Sequence, residues 1–111
     1  MKKYKVVITD EALLDMEKIY EYIALTLCAP ENAIGQYNRI ADAIMTLETM
    51  PDRFAKFDCE PEYTQGIRRM IVDNFLVCYL VDTKVVTVIN VMYGAADVHA
   101  RLQKKPNAQT L

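Results

Sequence analysis

The possible folds of this chain are limited above all by residues 67–93, which have the sequence IRRMIVDNFLVCYLVDTKVVTVINVMY. The stretch is crowded with β-branched, aliphatic and aromatic residues, which favour extended strands. Two short polar breaks, at residues 73–74 and 82–84, divide it into three runs. Asp and Asn in such breaks bond to the local backbone and tolerate left-handed conformations, as hairpin turns require. The stretch therefore predicts a three-stranded antiparallel meander.

Side chains on a strand alternate between the two faces of a sheet. In the second and third runs this alternation leaves both faces largely apolar, which is unusual for an antiparallel sheet with one face in water. One face is therefore expected to be covered by helices, and the other by the chain's own tail or by another molecule. The alternation sets Phe75, Val77, Tyr79 and Val81 against Leu76, Cys78 and Leu80, and Val85, Thr87, Ile89, Val91 and Tyr93 against Val86, Val88, Asn90 and Met92.

Two amphipathic helices are predicted before the meander. A short strand at residues 3–9 leads into a helix capped by Thr9 or Asp10, and Pro30 begins a second helix that ends before Pro51. The connection between them is short, so the two helices form an antiparallel hairpin. Apolar residues recur at helical spacing in both: Leu13, Met16, Tyr20, Ile23 and Leu27 in the first helix, and Ala33, Tyr37, Ile40, Ile44 and Leu47 in the second.

The resulting order is β-α-α-β-β-β. This is an α+β domain whose antiparallel sheet, with the first strand at its edge, is covered on one face by the helix hairpin. Residues 51–66 form a loop that Phe54, Phe57 and Tyr63 pin to the body of the domain. A helical turn is expected at residues 97–102. Residues 1–111 are treated as one domain, with residues 103–111 as a flexible tail.

The charge of the chain argues against binding to nucleic acid through the phosphate backbone alone. The net charge is -2 and the pI is about 5.3, whereas such proteins are usually basic. The charge is uneven, because residues 1–52 hold five basic and nine acidic residues and residues 53–111 hold eight basic and six acidic ones. A polyanion is therefore expected to meet the C-terminal half.

Three cysteines, Cys28, Cys59 and Cys78, are odd in number and form no C-x-x-C pair, so neither a metal site nor a disulfide framework is expected. Reduced thiols indicate a cytoplasmic protein. Acidic residues interrupt the apolar run after the N-terminal lysines too early for a signal peptide, and the longest uncharged run is too short to cross a bilayer. No Ser/His/Asp set, phosphate loop or metal cluster is present, so the common hydrolase, kinase and zinc classes are excluded and no cofactor is expected.

Several segments, in this order, resemble the RelE/ParE superfamily of toxins from bacterial type II toxin–antitoxin systems, some of which are known as plasmid-stabilisation proteins. The resemblance covers roughly residues 4–102. It is carried by YKVVIT, by IYEYI in the first helix, by PENA and LETMPDR at the ends of the second, by GIRR and VCYLVD in the strands, and by V-x-x-V-x-Y-G-x-x-D near the end.

The resemblance implies a small toxin that is neutralised by a cognate antitoxin, whose extended segment wraps around it. RelE-like members are ribosome-dependent endoribonucleases that cut mRNA, and ParE-like members poison DNA gyrase. It also implies site residues. The arginine that opens the second strand of the family corresponds to Arg68, and the residue at the end of the last strand corresponds to Tyr93. Further candidates are Arg69 and Asp97 at the catalytic positions, and Arg53 and Lys56 at basic loop positions that bind phosphate or target.

The chemistry of RNA cleavage fits some of these residues. A guanidinium such as that of Arg68 pairs bidentately with phosphate oxygens, and Tyr93 can act as an acid or orient the nucleophile. The same residues also suit purely structural roles. Arg68 and Arg69 can be solvent-facing strand residues paired with Asp73 or a loop carboxylate, and Tyr93 can lie at the edge of the core. His99, the single histidine, is expected to be an exposed bystander.

The chain also departs from the family pattern. Relatives often carry arginine in the third strand, where this chain has Leu76, and after the last strand, where it has Ala95 and Ala96. Losing these cations weakens the stabilisation of a scissile phosphate. Three hypotheses remain: a gyrase inhibitor that acts by binding, a degenerate toxin that still binds its antitoxin, and a ribosome-dependent endoribonuclease. The departures favour the first two.

Overall fold

A computed structural model of the chain describes residues 3–57 and 62–94, with only the backbone described at residues 62 and 63. The strands are β1 (Lys5–Ile8), β2 (Arg68–Val72), β3 (Phe75–Val81) and β4 (Val85–Tyr93). The helices are α1 (Asp10–Glu21), α2 (Pro30–Met45) and the short α3 (Glu62–Gln65). A π-helical turn, Tyr22–Thr26, follows α1, and 3-10 turns at Thr46–Glu48 and Pro51–Arg53 follow α2.

The four strands form one sheet in the order β1-β4-β3-β2. The meander is antiparallel throughout, and the α+β class and the order of elements are confirmed. One pairing differs from the all-antiparallel sheet that was expected. β1 runs parallel to β4, with Lys5 opposite Val85 and Ile8 opposite Val88, so the sheet is mixed. The direction of a strand follows from the path of the helix hairpin back to the sheet, and strand periodicity carries no information about it.

The β3–β4 ladder contains a β-bulge, which changes the faces predicted for β4. Cys78 pairs with Asn90, but the next residue, Tyr79, pairs with Val88, so Ile89 is the extra residue. Strict alternation places Val88 and Val91 on different faces. In the structure both belong to the core beneath the helices, while Ile89 packs on the other side.

The core lies between the helix hairpin and the sheet. On the helix side, Met16, Ile40, Ile44 and Leu47 are at most 2% exposed, as the apolar stripes predict. They meet a set of buried sheet residues: Met70, Val77, Tyr79, Val86, Val88 and Val91.

The stripe predicted for the first helix is only partly correct. Leu13 is 40% exposed and Leu27 is 55% exposed, and the buried residues of α1 are Ala12, Asp15 and Met16. Thr9 fixes this orientation, because its hydroxyl accepts from Ala12 N at 3.1 Å and donates to Val88 O at 3.0 Å. Leu27 leaves the stripe because its N–H donates to Tyr22 O across the π-helical turn, which breaks the helical phase.

The second face of the sheet carries its own apolar cluster. Phe57 and Ile67, from the connection between α2 and β2, pack with Leu76, Cys78 and Met92. Phe57 thus pins the loop as expected. The side chain of Tyr63, the predicted turn at residues 97–102 and the tail at 103–111 lie outside the described residues.

Candidate functional site

The candidate site begins with the segment that connects α2 to β2, because two of the four basic residues singled out in the sequence lie in it and the other two follow at the start of β2. Met50 adopts a left-handed conformation, with φ 48° and ψ 52°, and turns the chain away from α2. The backbone then passes through the Pro51–Arg53 turn and runs beside β2, where Lys56 forms an isolated bridge with Arg68. Arg53, Lys56 and Arg68 are therefore brought together at the start of β2.

Arg68 is used to hold this segment in place. Its Nη1 donates to Phe54 O at 2.6 Å and to Asp52 O at 3.2 Å. These partners are carbonyl groups, neither Asp73 nor a loop carboxylate. The Nε and Nη2 groups of Arg68 have no hydrogen-bond partner among the backbone groups and side chains that the structure describes.

Arg53 caps the end of the second helix. Its Nη1 donates to Thr49 O at 2.7 Å and to Met50 O at 3.0 Å, and its Nη2 donates to the Thr46 hydroxyl at 3.1 Å. The guanidinium also lies 4.7 Å from the ring centre of Phe54. Carbonyl groups at a helix C-terminus lack partners within the helix, and a cation there satisfies them. Arg53 therefore stabilises the turn around Met50.

Arg69 faces the opposite side of the sheet from Arg68. It pairs with Cys78, whereas Arg68 pairs with Tyr79, and directly opposed residues share a face. Its guanidinium lies 5.3 Å from the ring centre of Phe57, in a cation–π contact. Arg68 and Arg69 therefore do not act on one phosphate.

Tyr93 is 61% exposed and lies at the end of β4, with its ring in an edge contact 5.9 Å from Phe75. The ladder separates it from Arg68. Tyr93 is opposite Phe75 on β3, while Arg68 is opposite Tyr79, four positions further along the same strand. At about 3.3 Å per residue this is roughly 13 Å along the strand, with β3 lying between the two residues. Asp97 lies outside the described residues. These catalytic assignments stay predictions.

Tyr93 borders a small cavity of ≈ 160 Å³ at the β2–β3 turn, beside Asp73. Asp73 accepts from Arg39 Nε at 2.8 Å and from Gln36 Nε2 at 3.0 Å. The hydrogen bond from Arg39, and then that from Gln36, holds the pKa of the Asp73 carboxyl below its usual value. The Asp73 carboxylate beside this cavity is therefore paired with a cation of α2, and this ion pair holds the β2–β3 turn against the helix.

Two buried polar contacts were not predicted. Tyr79 is fully buried, and its hydroxyl donates to Pro51 O at 2.6 Å; burial raises the pKa of Tyr79 to about 12, although Arg68 and Arg53 oppose the shift. Asp15 accepts from Val91 N at 3.1 Å and from Asn90 Nδ2 at 3.3 Å, which satisfies the backbone at the bulge. Asn90, a polar residue within an apolar run, is the sequence signal that pointed to such a pair.

Metal and membrane sites are not supported by the described part of the chain. Among residues 3–57 and 62–94 no group of three or more His, Cys, Asp or Glu side chains could hold a metal ion. No helix in these ranges is long and apolar enough to span a membrane. Cys28 is exposed and Cys78 is buried.

Comparison with known proteins gives one family match. Residues 6–98 match the family model described as the ParE toxin of the type II toxin–antitoxin system parDE. A search of curated proteins finds no significant match.

Solved structures share the fold at low sequence identity. One from the chromosomal ParDE toxin–antitoxin system of P. aeruginosa superposes with a TM-score of 0.70 at 20% identity, covering 84% of this chain and 98% of the other. One from the RelBE2 toxin–antitoxin complex of Mycobacterium tuberculosis gives 0.59 at 17% identity, with coverages of 82% and 98%. One from the archaeal RelE–RelB complex of Pyrococcus horikoshii OT3 gives 0.55 at 16% identity, with coverages of 84% and 97%.

Proposed function

This chain belongs to the ParE toxin family of type II toxin–antitoxin systems, and from that membership we propose that it inhibits growth by binding its cellular target, without cleaving RNA. The target proposed is DNA gyrase, as the resemblance to ParE-like toxins implies. A cognate antitoxin neutralises it, since the solved structures that share its fold come from toxin–antitoxin systems.

The observation that carries this proposal is the separation of the predicted catalytic groups. In-line attack on a phosphodiester requires cations at the phosphate and proton transfer by side chains within hydrogen-bond reach. Tyr93 and Arg68 lie at opposite ends of β3, on its two flanking strands. Their backbone positions are roughly 13 Å apart along the strand. Each side chain is also engaged elsewhere, since Arg68 donates to the carbonyl groups of Asp52 and Phe54 and the ring of Tyr93 packs against Phe75.

The hydrogen bonds that Arg53 and Arg68 make to the backbone support the same conclusion. Arg53 satisfies the end of α2, and Arg68 holds residues 52–54 through two carbonyl groups. A side chain that holds the backbone cannot move to a scissile phosphate without releasing that backbone. Leu76 is buried where relatives often carry an arginine, so that position supplies no cation.

One observation favours the alternative, a ribosome-dependent endoribonuclease. Arg53, Lys56 and Arg68 lie at or beside the start of β2, and part of the Arg68 guanidinium has no partner among the described residues. Such a cluster suits a phosphate. In this alternative, residues of the ribosome or the mRNA would have to supply the missing proton transfer.

The test is inducible expression of the chain followed by pulse labelling of DNA and protein synthesis, with primer extension on abundant mRNAs. We expect DNA synthesis to stop first, no new mRNA ends on translating ribosomes, and inhibition of supercoiling by purified gyrase. The variant Ala95→Arg/Ala96→Arg restores the cations found in relatives and serves as a gain-of-function comparison.

The outcomes separate the three hypotheses. Site-specific mRNA cuts by the parent chain that disappear in a folded Arg68→Gln variant, but persist in Arg69→Gln, would establish the endoribonuclease. Cuts that appear only with the two added arginines would indicate a cleavage site that has lost its cations. Normal growth on induction, together with binding of the antitoxin, would indicate a degenerate toxin.

A further inference from the structure

The helix hairpin carries a cleft that the site at β2 does not use. It has a volume of ≈ 350 Å³ and lies between α1 and α2, lined by Glu17, Tyr20, Glu21, Ile34, Tyr37 and Asn38. Tyr20 and Tyr37 form its floor, with their rings edge to face and 6.3 Å between ring centres. Ile34 is 50% exposed at its rim. A cleft of this size accepts one or two side chains from a partner.

The cleft combines aromatic rings with carboxylates. Glu17 and Glu21 lie one helical turn apart on α1, so their side chains project on the same face. Neither glutamate side chain makes a hydrogen bond or ion pair with a group that the structure describes. Tyrosine ring faces attract cations, and two nearby carboxylates add to this attraction. The cleft therefore favours a positively charged group at the end of a long apolar side chain.

The charge of the whole hairpin reinforces this selection. Residues 10–48 contain eight acidic residues and two basic ones, Lys18 and Arg39, which gives a net charge of -6. Arg39 is paired with Asp73, at 2.8 Å. The rest of the chain, with eleven basic and seven acidic residues, has a net charge of +4. The hairpin is thus an acidic surface on a protein whose other residues are basic on balance.

We propose that this cleft binds a lysine or arginine side chain on an amphipathic helix of the antitoxin, with Glu17 and Glu21 holding the cation and Tyr20, Ile34 and Tyr37 packing against its alkyl stem. The inference rests on the proposed antitoxin partner and adds the chemistry by which that partner is recognised. Lysine and arginine have long apolar stems that pack on aromatic surfaces while their charged ends reach a polar rim. An amphipathic helix is the element that most often fills a groove between two helices.

Charge complementarity also argues against other occupants. An anionic membrane surface or a nucleic acid is repelled by a hairpin with a net charge of -6. In a dimer formed through this hairpin, the carboxylates of one copy would face and repel those of the other. A basic helix gains from the surface, and electrostatic attraction of this kind raises the association rate and selects the partner.

The test uses the full chain and the product of the neighbouring antitoxin gene. Binding is measured by isothermal titration and stopped-flow fluorescence at 50 and 300 mM salt, for the parent, for Glu17→Gln/Glu21→Gln, and for the control Glu31→Gln/Asp42→Asn. Glu31 and Asp42 are exposed residues of α2 outside the cleft, so both variants lose two negative charges from the same hairpin. We expect the cleft variant to bind roughly tenfold more weakly at low salt, with a smaller salt dependence, and the control to change less than threefold.

A double-mutant cycle identifies the cation. Each lysine and arginine of the antitoxin is changed to glutamine, and one of them should weaken binding to the parent but have little further effect on the cleft variant. A complex that forms normally while the cleft variant and the control behave alike would overturn this inference and leave the proposed function standing. Failure of the parent to bind the antitoxin at all would overturn both. Circular dichroism of every variant excludes loss of folding as the cause.

Discussion

At the scale of single residues, two of the predicted site residues, Arg53 and Arg68, hold a strained turn in place. A left-handed conformation at a residue other than glycine, such as that of Met50, costs about 1 kcal/mol or more. Arg53, Arg68 and Tyr79 together donate to the carbonyl groups of Thr49, Met50, Pro51, Asp52 and Phe54. Three side chains from two strands and the turn itself therefore fix the segment between α2 and β2.

Tyr79 gives a prediction for this turn. Its folded pKa of about 12 lies above the ordinary value near 10, because burial disfavours the phenolate. The stabilisation it provides is therefore complete below pH 10 and is lost as the pH rises from 10 towards 12. Tyr79→Phe should lower the free energy of unfolding by about 1 kcal/mol at pH 8, where it removes the hydrogen bond to Pro51 O, and by less at pH 11.

Urea unfolding at pH 8, 10 and 11 measures this effect. The quantity compared is the difference in the free energy of unfolding between parent and variant, in which contributions common to both proteins cancel. Tyr22→Phe, at a tyrosine that is 55% exposed, is the matched control and should leave both the stability and its pH dependence unchanged. A difference between the parent and Tyr79→Phe that stays constant with pH would contradict the role assigned to burial.

At the scale of secondary-structure elements, α2 is the helix that forms most of the core beneath the sheet. Ile44 is fully buried, and truncating it leaves a cavity between the hairpin and the meander. Ile44→Ala should reduce the free energy of unfolding by about 2–5 kcal/mol. Chemical denaturation provides the measurement, with Leu13→Ala as the comparison because Leu13 is 40% exposed. If the two variants lose equal stability, the facing of the hairpin described above is incorrect.

The sequence predicted which segments form helices and strands more accurately than it predicted how these elements pair in the sheet. Periodicity and turn residues located the two helices and the three strands of the meander. Of the stripe predicted for the second helix, Ala33, Ile40, Ile44 and Leu47 are buried, and Tyr37 is partly buried. The parallel pairing of β1 could not be predicted, because a strand has the same residue pattern in either direction. The bulge at Ile89 could not be predicted either, because it depends on the buried carboxylate of Asp15, which lies on α1.

The same limit applies to the candidate site. The grouping of Arg53, Lys56 and Arg68 could be expected, since residues next to a strand stay near it. Their partners could not, because these are backbone carbonyl groups whose positions depend on the left-handed turn at Met50. The distance between Arg68 and Tyr93 follows only from the register of three strands, and no single segment of sequence contains that register.

At the scale of the whole molecule, a partner that binds the native state should stabilise it. The cognate antitoxin at one hundred times its Kd should add about 2.7 kcal/mol to the free energy of unfolding. For a chain of this size that corresponds to a rise in Tm of roughly 10 °C. Differential scanning fluorimetry at increasing antitoxin concentrations measures the rise. A neighbouring-gene product that neither co-purifies with the chain nor shifts its Tm would contradict the pairing.

The parallel pairing of β1 with β4 has a consequence for the time at which this protein can become active. Thr9, just after β1, donates to Val88, 79 positions later in the chain. Ribosomes add about 5–20 residues per second, so β1 waits roughly 4–16 s for its partner strand. Until β4 has left the exit tunnel, β1 is not joined to β3 and the hairpin has no complete surface on which to pack. A partly synthesised chain therefore lacks the complete fold, and any activity that depends on this fold begins only after β4 is released.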